Sequence, residues 1–387
     1  MKFSCTQENL QNGLSLVSNI AGKNSTLPIL NNVLFKVSDG RIDLSVTNLE
    51  VGVNYSIRGK VEQEGSFTLP AKILTDYVSL LPKEKIDLEL KESEIFVQSS
   101  TSKTKIKGMD ASEFPLIPQI QKKSPIWCDL HLFISALEQV LFAVSTNDAR
   151  PEISGIYFHK NAGESTAILA ATDSYRLAEK KIPLKFGDGV NQEQELALII
   201  PARTSNELLR ILTNFSRSSH LTDDSVDNKI SLYLSENQIM FNFENLDLVS
   251  RLIEGSFPDY QQIIPSSFKT QAVIPVSELI NAVKTSSLFA RAGIFDIVLE
   301  LTHDGAKVSS VNSQIGENTS LLPCVVTGPE NKVILNYRYL LDGLLNLQAD
   351  EVIMELSDAN VPCVLRPSLK QAEQVRDYFY LIMPIRQ

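Results

Sequence analysis

The sequence predicts an α+β protein made of three tandem units, each with two helices and antiparallel hairpins. Two observations carry this prediction. In three places an apolar residue and then Pro70, Pro201 or Asn336 come directly before an amphipathic helix. We call this pair of residues the step, and successive steps are separated by close to one third of the 387 residues. After each such helix, apolar and polar residues alternate, which is typical of a two-stranded hairpin.

Each unit opens with a segment whose apolar residues recur with a period of about 3.6, so we expect a first helix there. These residues are Leu10, Leu14 and Val17 in the first unit, Leu137, Val140, Leu141 and Val144 in the second, and Leu279, Ile280, Val283 and Leu288 in the third. Alternating strands follow, for example at 41–46 and 296–301. The recurring step and second helix occupy 69–81, 200–212 and 335–345.

A proline-bearing segment closes each unit, at Phe114-Pro115, Phe257-Pro258 and Met383-Pro384. Polar stretches that contain proline lie near 121–125 and 265–267, and they predict domain boundaries. The predicted domains are residues 1–122, 123–265 and 266–387. The polar stretch 214–228 is expected to be a mobile surface loop within the second unit.

The composition excludes several protein classes. The chain has 36 Lys and Arg against 46 Asp and Glu, and a net charge of −10 excludes a bulk-basic nucleic-acid binder and leaves only local basic patches. The four cysteines form no C-x-x-C pair, so we expect neither a disulfide framework nor a structural zinc site. The first residues do not resemble a signal peptide and no apolar run is long enough to span a membrane, so we expect a cytoplasmic protein.

No enzyme motif is complete, and the sequence predicts a protein without catalytic residues, metal or cofactor. Segment 22–24 resembles the end of a phosphate-binding loop, but Val17 stands at the earlier glycine position and Asn24 replaces the required Ser or Thr. Asp173 and Arg176 are candidate residues of a hydrolase or sugar-binding enzyme. The competing interpretation of Asp173 is a turn residue that binds its own backbone.

Four short pieces carry a resemblance to a known family: TLPIL at 26–30, TDSYRLA at 172–178, FPDY at 257–260 and MPIR at 383–386. In this order, and with the three units, they resemble the bacterial sliding clamps, the β subunits of DNA polymerase III. The resemblance covers the whole chain. It implies three DNA-clamp domains with helices inside and sheets outside, and two chains joined head to tail in a ring.

The resemblance also implies the partners. Double-stranded DNA would pass through the ring and be held by topology rather than by its sequence. A clamp loader would open the ring, and the DNA polymerase III alpha subunit and other proteins with a clamp-binding motif would dock on it. The protein would thus be a processivity factor in replication and repair rather than an enzyme. A repeat scaffold that binds peptides but not DNA is the alternative.

Basic residues on the helices and in two loops are expected to centre the duplex in the ring. Arg203 and Arg210 are seven residues apart and share one helix face, although ordinary solvated helix charges are the alternative. Lys23 and Arg150 lie in loops that match family loops at the mouth of the ring. The full DNA-facing set that the resemblance implies is Lys23, Lys72, Arg150, Arg203, Arg210, Lys284 and Arg338.

The resemblance further implies an apolar groove between the second and third domains, where a peptide with Gln and Leu-Phe-type anchors docks. The positions that match this groove, all apolar except Thr172, are Ile153, Thr172, Leu177, Pro258, Ile263, Val361, Leu381, Met383 and Pro384. Its polar flanking residues are Arg176, Asn336, Tyr339 and Arg386. Ser174, Tyr175, Gln262 and Gln387 depart from common family residues, so the rim of the groove is expected to differ. Without the resemblance, Leu177, Ile263 and Leu381 would be interpreted as core residues.

A dimer interface is implied between the first and third domains of two chains. The basic strand 103–107 matches the family's interface edge, although a lysine-rich edge also protects a strand against unwanted pairing. Lys103, Lys105 and Ile106 are expected to meet Leu288, Phe289 and Glu317 of the other chain. Segment 129–133 looks like a docking peptide, but the repeat requires a strand end and helix start there, and we assign it that structural role.

Overall fold

The computed structural model of the protein describes residues 1–22, 26–38, 40–147, 149–218, 228–368 and 377–386. Within these residues it confirms the α+β class, with two α-helices in each third of the chain and antiparallel pairing between the strands. The helices are α1 (Gln7–Val17), α2 (Ala71–Ser79), α3 (Leu130–Leu141), α4 (Ala202–Ser218), α5 (Val276–Ser287) and α6 (Tyr337–Leu345).

The strands repeat in groups of nine within the described residues. The first group is β1 (Lys2–Thr6), β2 (Asn32–Ser38), β3 (Arg41–Thr47), β4 (Val51–Ile57), β5 (Lys60–Gln63), β6 (Gly65–Pro70), β7 (Lys85–Lys91), β8 (Glu94–Gln98) and β9 (Lys103–Lys107). The second is β10 (Ile126–Asp129), β11 (Gly155–Lys160), β12 (Thr166–Thr172), β13 (Arg176–Pro183), β14 (Lys185–Phe186), β15 (Leu196–Pro201), β16 (Lys229–Ser235), β17 (Gln238–Phe243) and β18 (Leu246–Arg251). The third is β19 (Thr270–Pro275), β20 (Asp296–Thr302), β21 (Gly305–Asn312), β22 (Gly316–Leu322), β23 (Val325–Thr327), β24 (Asn331–Asn336), β25 (Glu351–Leu356), β26 (Cys363–Ser368) and β27 (Tyr378–Ile382).

The recurring step before each second helix has a physical reason. Pro70 and Pro201 are the last residues of β6 and β15, and a helix begins at the next residue in both cases. Proline fixes φ and lacks an N–H donor, so it ends the strand and directs the chain into the helix. In the third unit Asn336 replaces proline, and its side-chain oxygen accepts a hydrogen bond from the N–H of Arg338 at 2.9 Å, which caps α6.

The prediction of a loop at 214–228 is wrong for residues 214–218. Helix α4 continues to Ser218, and the ring of Phe215 packs edge-on against Phe243 at 4.6 Å. This aromatic contact extends the helix into a stretch whose polar composition predicted a loop. Residues 219–227 lie outside the described residues. The structural role of 129–133 is confirmed, because β10 ends at Asp129 and α3 begins at Leu130.

The chain divides into two compact units. Unit 1 comprises Met1–His131, Leu184–Asn191 and Arg203–Leu252. It contains a five-stranded sheet in the order β5-β1-β7-β8-β9 and a nine-stranded sheet in the order β14-β10-β16-β17-β18-β4-β3-β2-β6. In the nine-stranded sheet β18 pairs with β4, so strands from the first and second thirds of the chain form one continuous sheet.

Unit 2 comprises Leu132–Pro183, Gln192–Ala202 and Ile253–Gln387. It contains a nine-stranded sheet in the order β15-β11-β12-β13-β27-β26-β25-β19-β23 and a four-stranded sheet in the order β22-β21-β20-β24. Here β13 pairs with β27, which joins the second and third thirds of the chain. The predicted boundaries at 122 and 265 remain a prediction.

The cores follow the predicted patterns. Helix α1 buries Leu10, Leu14 and Val17 in unit 1, and α5 buries Leu279 and Val283 in unit 2. These residues recur at the helical period on one face and remove that face from water. No helix in the described part of the chain has the length and apolar character needed to cross a membrane.

Candidate functional site

The junction of β13 and β27 brings several of the sequence-predicted groove residues together within unit 2. Leu177 lies opposite Leu381, and Arg176 lies opposite Ile382. The backbone N–H of Met383 donates to the carbonyl of Tyr175 at 2.8 Å, which continues the pairing beyond the strand end. The antiparallel ladder therefore fixes segment 175–177 against segment 381–383 by backbone hydrogen bonds.

An apolar cluster forms the floor at this junction. Leu177 and Leu381 are fully buried, together with Val364 and Tyr260, and Met383 packs partly buried against them. Leu177 and Leu381 are thus core residues, as they would be interpreted without the resemblance. Only side chains at the margin, such as Met383, are left for a ligand to contact.

The other predicted apolar residues, which would form the wall beside this floor, are mostly more exposed. Ile263 is 43% exposed and ends the turn Gln261–Ile263, which follows Tyr260. Pro258 is half-buried two residues before Tyr260. Val361 is half-buried in the loop that leads to β26, and Pro384 is half-buried beyond β27. Ile153 is buried at the end of the turn Pro151–Ile153.

A tight turn carries the polar rim. The Asp173 carboxylate accepts hydrogen bonds from the N–H groups of Tyr175 at 2.9 Å and Arg176 at 3.1 Å. Thr172 Oγ1 donates to the carbonyl of Arg176 at 2.6 Å and accepts from the N–H of Ser174 at 3.1 Å. Asp173 is therefore a turn residue that binds its own backbone, and this arrangement disfavours a free catalytic acid.

Ser174 holds an uncommon backbone conformation, with φ of 79°. Glycine adopts this region without strain, whereas serine needs support from its neighbours. The Arg150 guanidinium supplies it, because Nη1 donates to Ser174 Oγ at 2.8 Å while Nε donates to Glu152 at 3.0 Å. Arg150, which the sequence assigned to DNA, thus supports the rim of the groove.

Arg176 is the electrostatic centre of the rim. Its side chain is 11% exposed, Nε donates to Asp173 at 2.9 Å, and Nη1 donates to Asp342 at 2.5 Å. The guanidinium lies 4.7 Å from the centre of the Tyr339 ring, which stabilises the cation from another side. Burial lowers the pKa of Arg176, but Tyr380, Asp342 and Asp173 raise it more, so the guanidinium stays charged.

Aromatic side chains complete the rim. The exposed ring of Tyr175 stacks on Tyr339 with ring centres 6.4 Å apart, and the Tyr380 hydroxyl donates to the Tyr339 carbonyl at 2.9 Å. Asn336 caps the helix that carries Tyr339, and Arg386 is exposed near the chain end. Sequence reasoning missed Asp342, although its spacing of three from Tyr339 on a helix places the two on one face.

The DNA-facing candidates have different surroundings. In unit 1, Lys72 is exposed on α2, and exposed Arg203 lies 3.8 Å from Glu50. Arg210 is engaged instead, since its guanidinium donates to the carbonyls of Ser15 at 3.1 Å and Leu16 at 2.8 Å. These carbonyls belong to the last turn of α1, where the helix dipole attracts a cation.

Unit 2 contributes two exposed cations to the same set. Lys284 is exposed on α5, and exposed Arg338 lies over the ring of Phe295 at 3.6 Å. A cation over an aromatic face keeps its charge and can still approach an anion. Lys23 lies outside the described residues.

The predicted interface residues lie on two strand edges and at the end of helix α5. Within the described residues, β9 ends the five-stranded sheet, with exposed Lys103 and Lys105 and buried Ile106. The two lysines lie near the Phe96 ring, at 5.8 and 5.3 Å from its centre. An unpaired edge of this kind can accept a strand from another chain.

The second free edge belongs to unit 2. In the part of the chain that the structure describes, β22 ends the four-stranded sheet and carries exposed Glu317. Leu288 caps α5 and is 70% exposed, whereas the helix buries its other face, which contains Leu279 and Val283. Helix α5 contacts β22, so an exposed leucine at the end of this helix is available to a partner that pairs with this edge.

Comparisons with known proteins give one consistent result. Three family models match the chain: the DNA polymerase III beta subunit N-terminal domain over residues 1–118, the central domain over 129–259 and the C-terminal domain over 261–386. The beta sliding clamp of Synechocystis is 29% identical, and the alignment covers 100% of this chain and 99% of that protein. The beta sliding clamp of Bacillus subtilis is 26% identical, with 100% of both chains covered.

Solved structures agree in fold. A crystal structure of the DNA polymerase sliding clamp from Bacillus subtilis matches with a TM-score of 0.88 at 25% identity, covering 100% of this chain and 99% of that one. A structure of the DNA polymerase III subunit beta sliding clamp from Bartonella birtlesii, bound to griselimycin, matches with a TM-score of 0.87 at 27% identity and full coverage of both chains.

Proposed function

The chain belongs to the DNA polymerase III beta subunit family, the beta sliding clamps, and on this basis we propose that two copies join head to tail into a ring that encircles double-stranded DNA. The members of this family are non-catalytic processivity subunits. The ring would tether the DNA polymerase III alpha subunit and other proteins with a clamp-binding motif, and a clamp loader would open it. We place this activity in the cytoplasm.

The observation that supports the proposed ring is the pattern of strand pairing in the four sheets. Each nine-stranded sheet consists of a group of five strands and a group of four strands. In chain order, the last strand of the five pairs with the third strand of the four: β18 with β4, and β27 with β13. The five-stranded sheet that ends in β9 and the four-stranded sheet that ends in β22 are left over. Pairing β9 of one copy with β22 of a second copy would complete a further nine-stranded sheet at each seam.

The two existing junctions indicate the register of the seam. Val249 lies opposite Gly52 in the first, and Leu381 lies opposite Leu177 in the second. Gly52 and Leu177 are also equivalent, since each pairs within its hairpin with the seventh residue of the preceding strand. On β22 the residue that pairs with the seventh residue of β21 is Glu317.

The equivalent of Val249 on β9 follows from the hairpin before it. Gln238 and Glu94 are the first residues of β17 and β8, and they pair with Arg251 and Lys107. The residue two positions earlier is therefore Val249 on β18 and Lys105 on β9. We infer that Lys105 of one copy lies opposite Glu317 of the other, with opposite charges across the seam.

The same register gives the seam an apolar side. Ile106 would lie opposite Gly316, and a Cβ on Gly316 would sit 3.7 Å from the ring of Phe289. Ile106 therefore approaches Phe289 and its neighbour Leu288, while Lys103 and Lys105 stay on the opposite, polar face because strand residues alternate. Apolar burial stabilises the seam, and the ion pair fixes its register.

Retention on DNA would come from topology rather than affinity. A net charge of −10 per chain opposes binding driven by many phosphate contacts. The exposed cations Lys72, Arg203, Lys284 and Arg338 would centre the duplex, and the loop residue Lys23 would join them. For Arg210 and Arg150 the observed contacts favour structural roles, and we include them in the DNA-facing set at a lower rank.

The groove is the proposed docking site for partner peptides. Burying about three apolar side chains against Met383, Ile263 and their neighbours stabilises a complex by roughly 5–9 kcal/mol. Ordering a free peptide removes several kcal/mol of this. Binding near −8 kcal/mol corresponds to about micromolar affinity, which suits partners that exchange. Met383 is unbranched and adapts to different sequences.

The assembly state tests the ring in the simplest way. We expect the purified chain at micromolar concentration to have twice the 43.0 kDa mass of one chain in light scattering or sedimentation. The expectation rests on two seams per ring, each with a completed sheet. A stable monomer at the same concentration would contradict the ring, because a single chain leaves β9 and β22 unpaired.

A further inference from the structure

A buried carboxylate lies beneath the wall of the groove. Glu179 follows Leu177 by two residues on β13, so both side chains point to the same face of the sheet. Glu179 is 6% exposed, and its Oε2 accepts a hydrogen bond from the Tyr260 hydroxyl at 2.7 Å. Lys181 Nζ lies 4.0 Å from the other oxygen. A carboxylate this deeply buried is costly unless a donor satisfies it.

Tyr260 is the partner that satisfies it. Its ring belongs to the buried cluster that contains Leu177 and Leu381. Burial, and then the charge of Glu179, raise the pKa of the Tyr260 hydroxyl, so the phenol keeps its proton and continues to donate. The bond joins the segment after β18 to the strand that forms the groove floor.

Tyr260 also controls the exposed wall. The N–H of Ile263 donates to the Tyr260 carbonyl at 3.1 Å, so the turn that presents Ile263 starts from Tyr260. On the other side, Phe257 stacks on Tyr157 at 4.7 Å and meets Tyr260 edge-on at 6.0 Å. Aromatic contacts hold segment 257–263 by its apolar side, and the ring of Tyr260 packs in the buried cluster. The bond to Glu179 adds a directional contact at the hydroxyl end of that ring.

We propose that Glu179 is a positioning residue of the peptide groove, which acts through Tyr260 to place Ile263 against the partner peptide. This inference rests on the proposed peptide binding. Glu179 would touch no ligand, and its effect would appear in peptide affinity rather than in the assembly of the ring. Nothing in the local sequence indicates this role, because the pair is separated by 81 positions.

The test is a set of variants in the full chain, read out by calorimetry with a synthetic peptide that carries Gln and a Leu-Phe pair. Tyr260→Phe leaves the carboxylate without its donor, and Glu179→Leu leaves the hydroxyl without its acceptor. We expect each single change to weaken peptide binding about tenfold, and the double variant to recover to within about threefold of the original, because a buried pair is costly to break and nearly neutral to remove whole. The matched control is Tyr77→Phe, which removes a hydroxyl that contacts Ser102 in unit 1. This variant should leave the peptide affinity unchanged.

A second comparison separates positioning from general destabilisation. In a chain that already carries Ile263→Ala, Tyr260→Phe should cost only about twofold, because the residue it positions has lost its contact. A full tenfold loss in that background would overturn the assigned route through Ile263. Equal binding by the wild type and both single variants would overturn the role of Glu179 alone, whereas absence of binding by the wild type would instead reject the peptide groove. If one single variant fails to fold, the other and the double variant still decide.

Discussion

Replacing Met383 by Asp is expected to weaken peptide binding at least about a hundredfold while the dimer stays intact. Met383 packs against the cluster of Leu177 and Leu381, and its backbone N–H is already fixed to the carbonyl of Tyr175. An aspartate there would place an unpaired carboxylate where the peptide must bury apolar side chains. Calorimetry with the same synthetic peptide measures the loss.

Two comparisons control this experiment. Met383→Leu keeps an apolar side chain of similar volume and should bind within about threefold of the original protein. Sedimentation of Met383→Asp should show an unchanged mass, since the residue follows β27, which belongs to neither of the sheets that end in the predicted seam strands β9 and β22. If Met383→Asp binds the peptide as well as the original, the docking site lies elsewhere.

The second large effect is expected at the seam. Leu288→Asp should convert the dimer into a 43.0 kDa monomer at micromolar concentration. The side chain is 70% exposed in one chain, and burial of a leucine contributes about 1.5–3 kcal/mol at each of two seams, which corresponds to roughly two to four orders of magnitude in dissociation constant. Light scattering over a dilution series measures it, and peptide binding should remain.

The register of the seam has its own control. Lys105→Glu and Glu317→Lys each place like charges opposite one another, and each should weaken the dimer by about tenfold. Combining both changes restores opposite charges and should restore the dimer. Failure of the combined variant to recover, with both single variants weakened, would contradict the pairing of Lys105 with Glu317.

The sequence predicted the parts of the fold that local chemistry determines. The steps at Pro70, Pro201 and Asn336 predicted the second helices because proline and asparagine act within a few residues of their own position. The end of α4 was predicted less well, because Phe215 is held by Phe243, a contact that polar composition does not reveal. Local patterns thus predict where helices begin more reliably than where they end.

The site was only partly predictable for the same reason. The turn role of Asp173 follows from short-range chemistry and was one of the two interpretations available from the sequence. The contacts of Arg210 with the last turn of α1 and of Arg150 with Ser174 join residues distant in sequence. Without them, helix spacing and the family resemblance assigned Arg210 to DNA, and the resemblance of its loop assigned Arg150. Long, flexible side chains can reach several partners, and tertiary structure decides which partner they bind.

We propose that the protein stays on DNA because the duplex passes through its closed ring. The most direct measurement loads the protein onto nicked circular DNA with a clamp loader, removes free protein by gel filtration and then cuts the circle with a restriction enzyme. We expect the protein to remain on the closed circle at high salt and to leave within minutes once the DNA has ends. Equal retention on circular and cut DNA would contradict it, because that result requires contacts that grip the duplex.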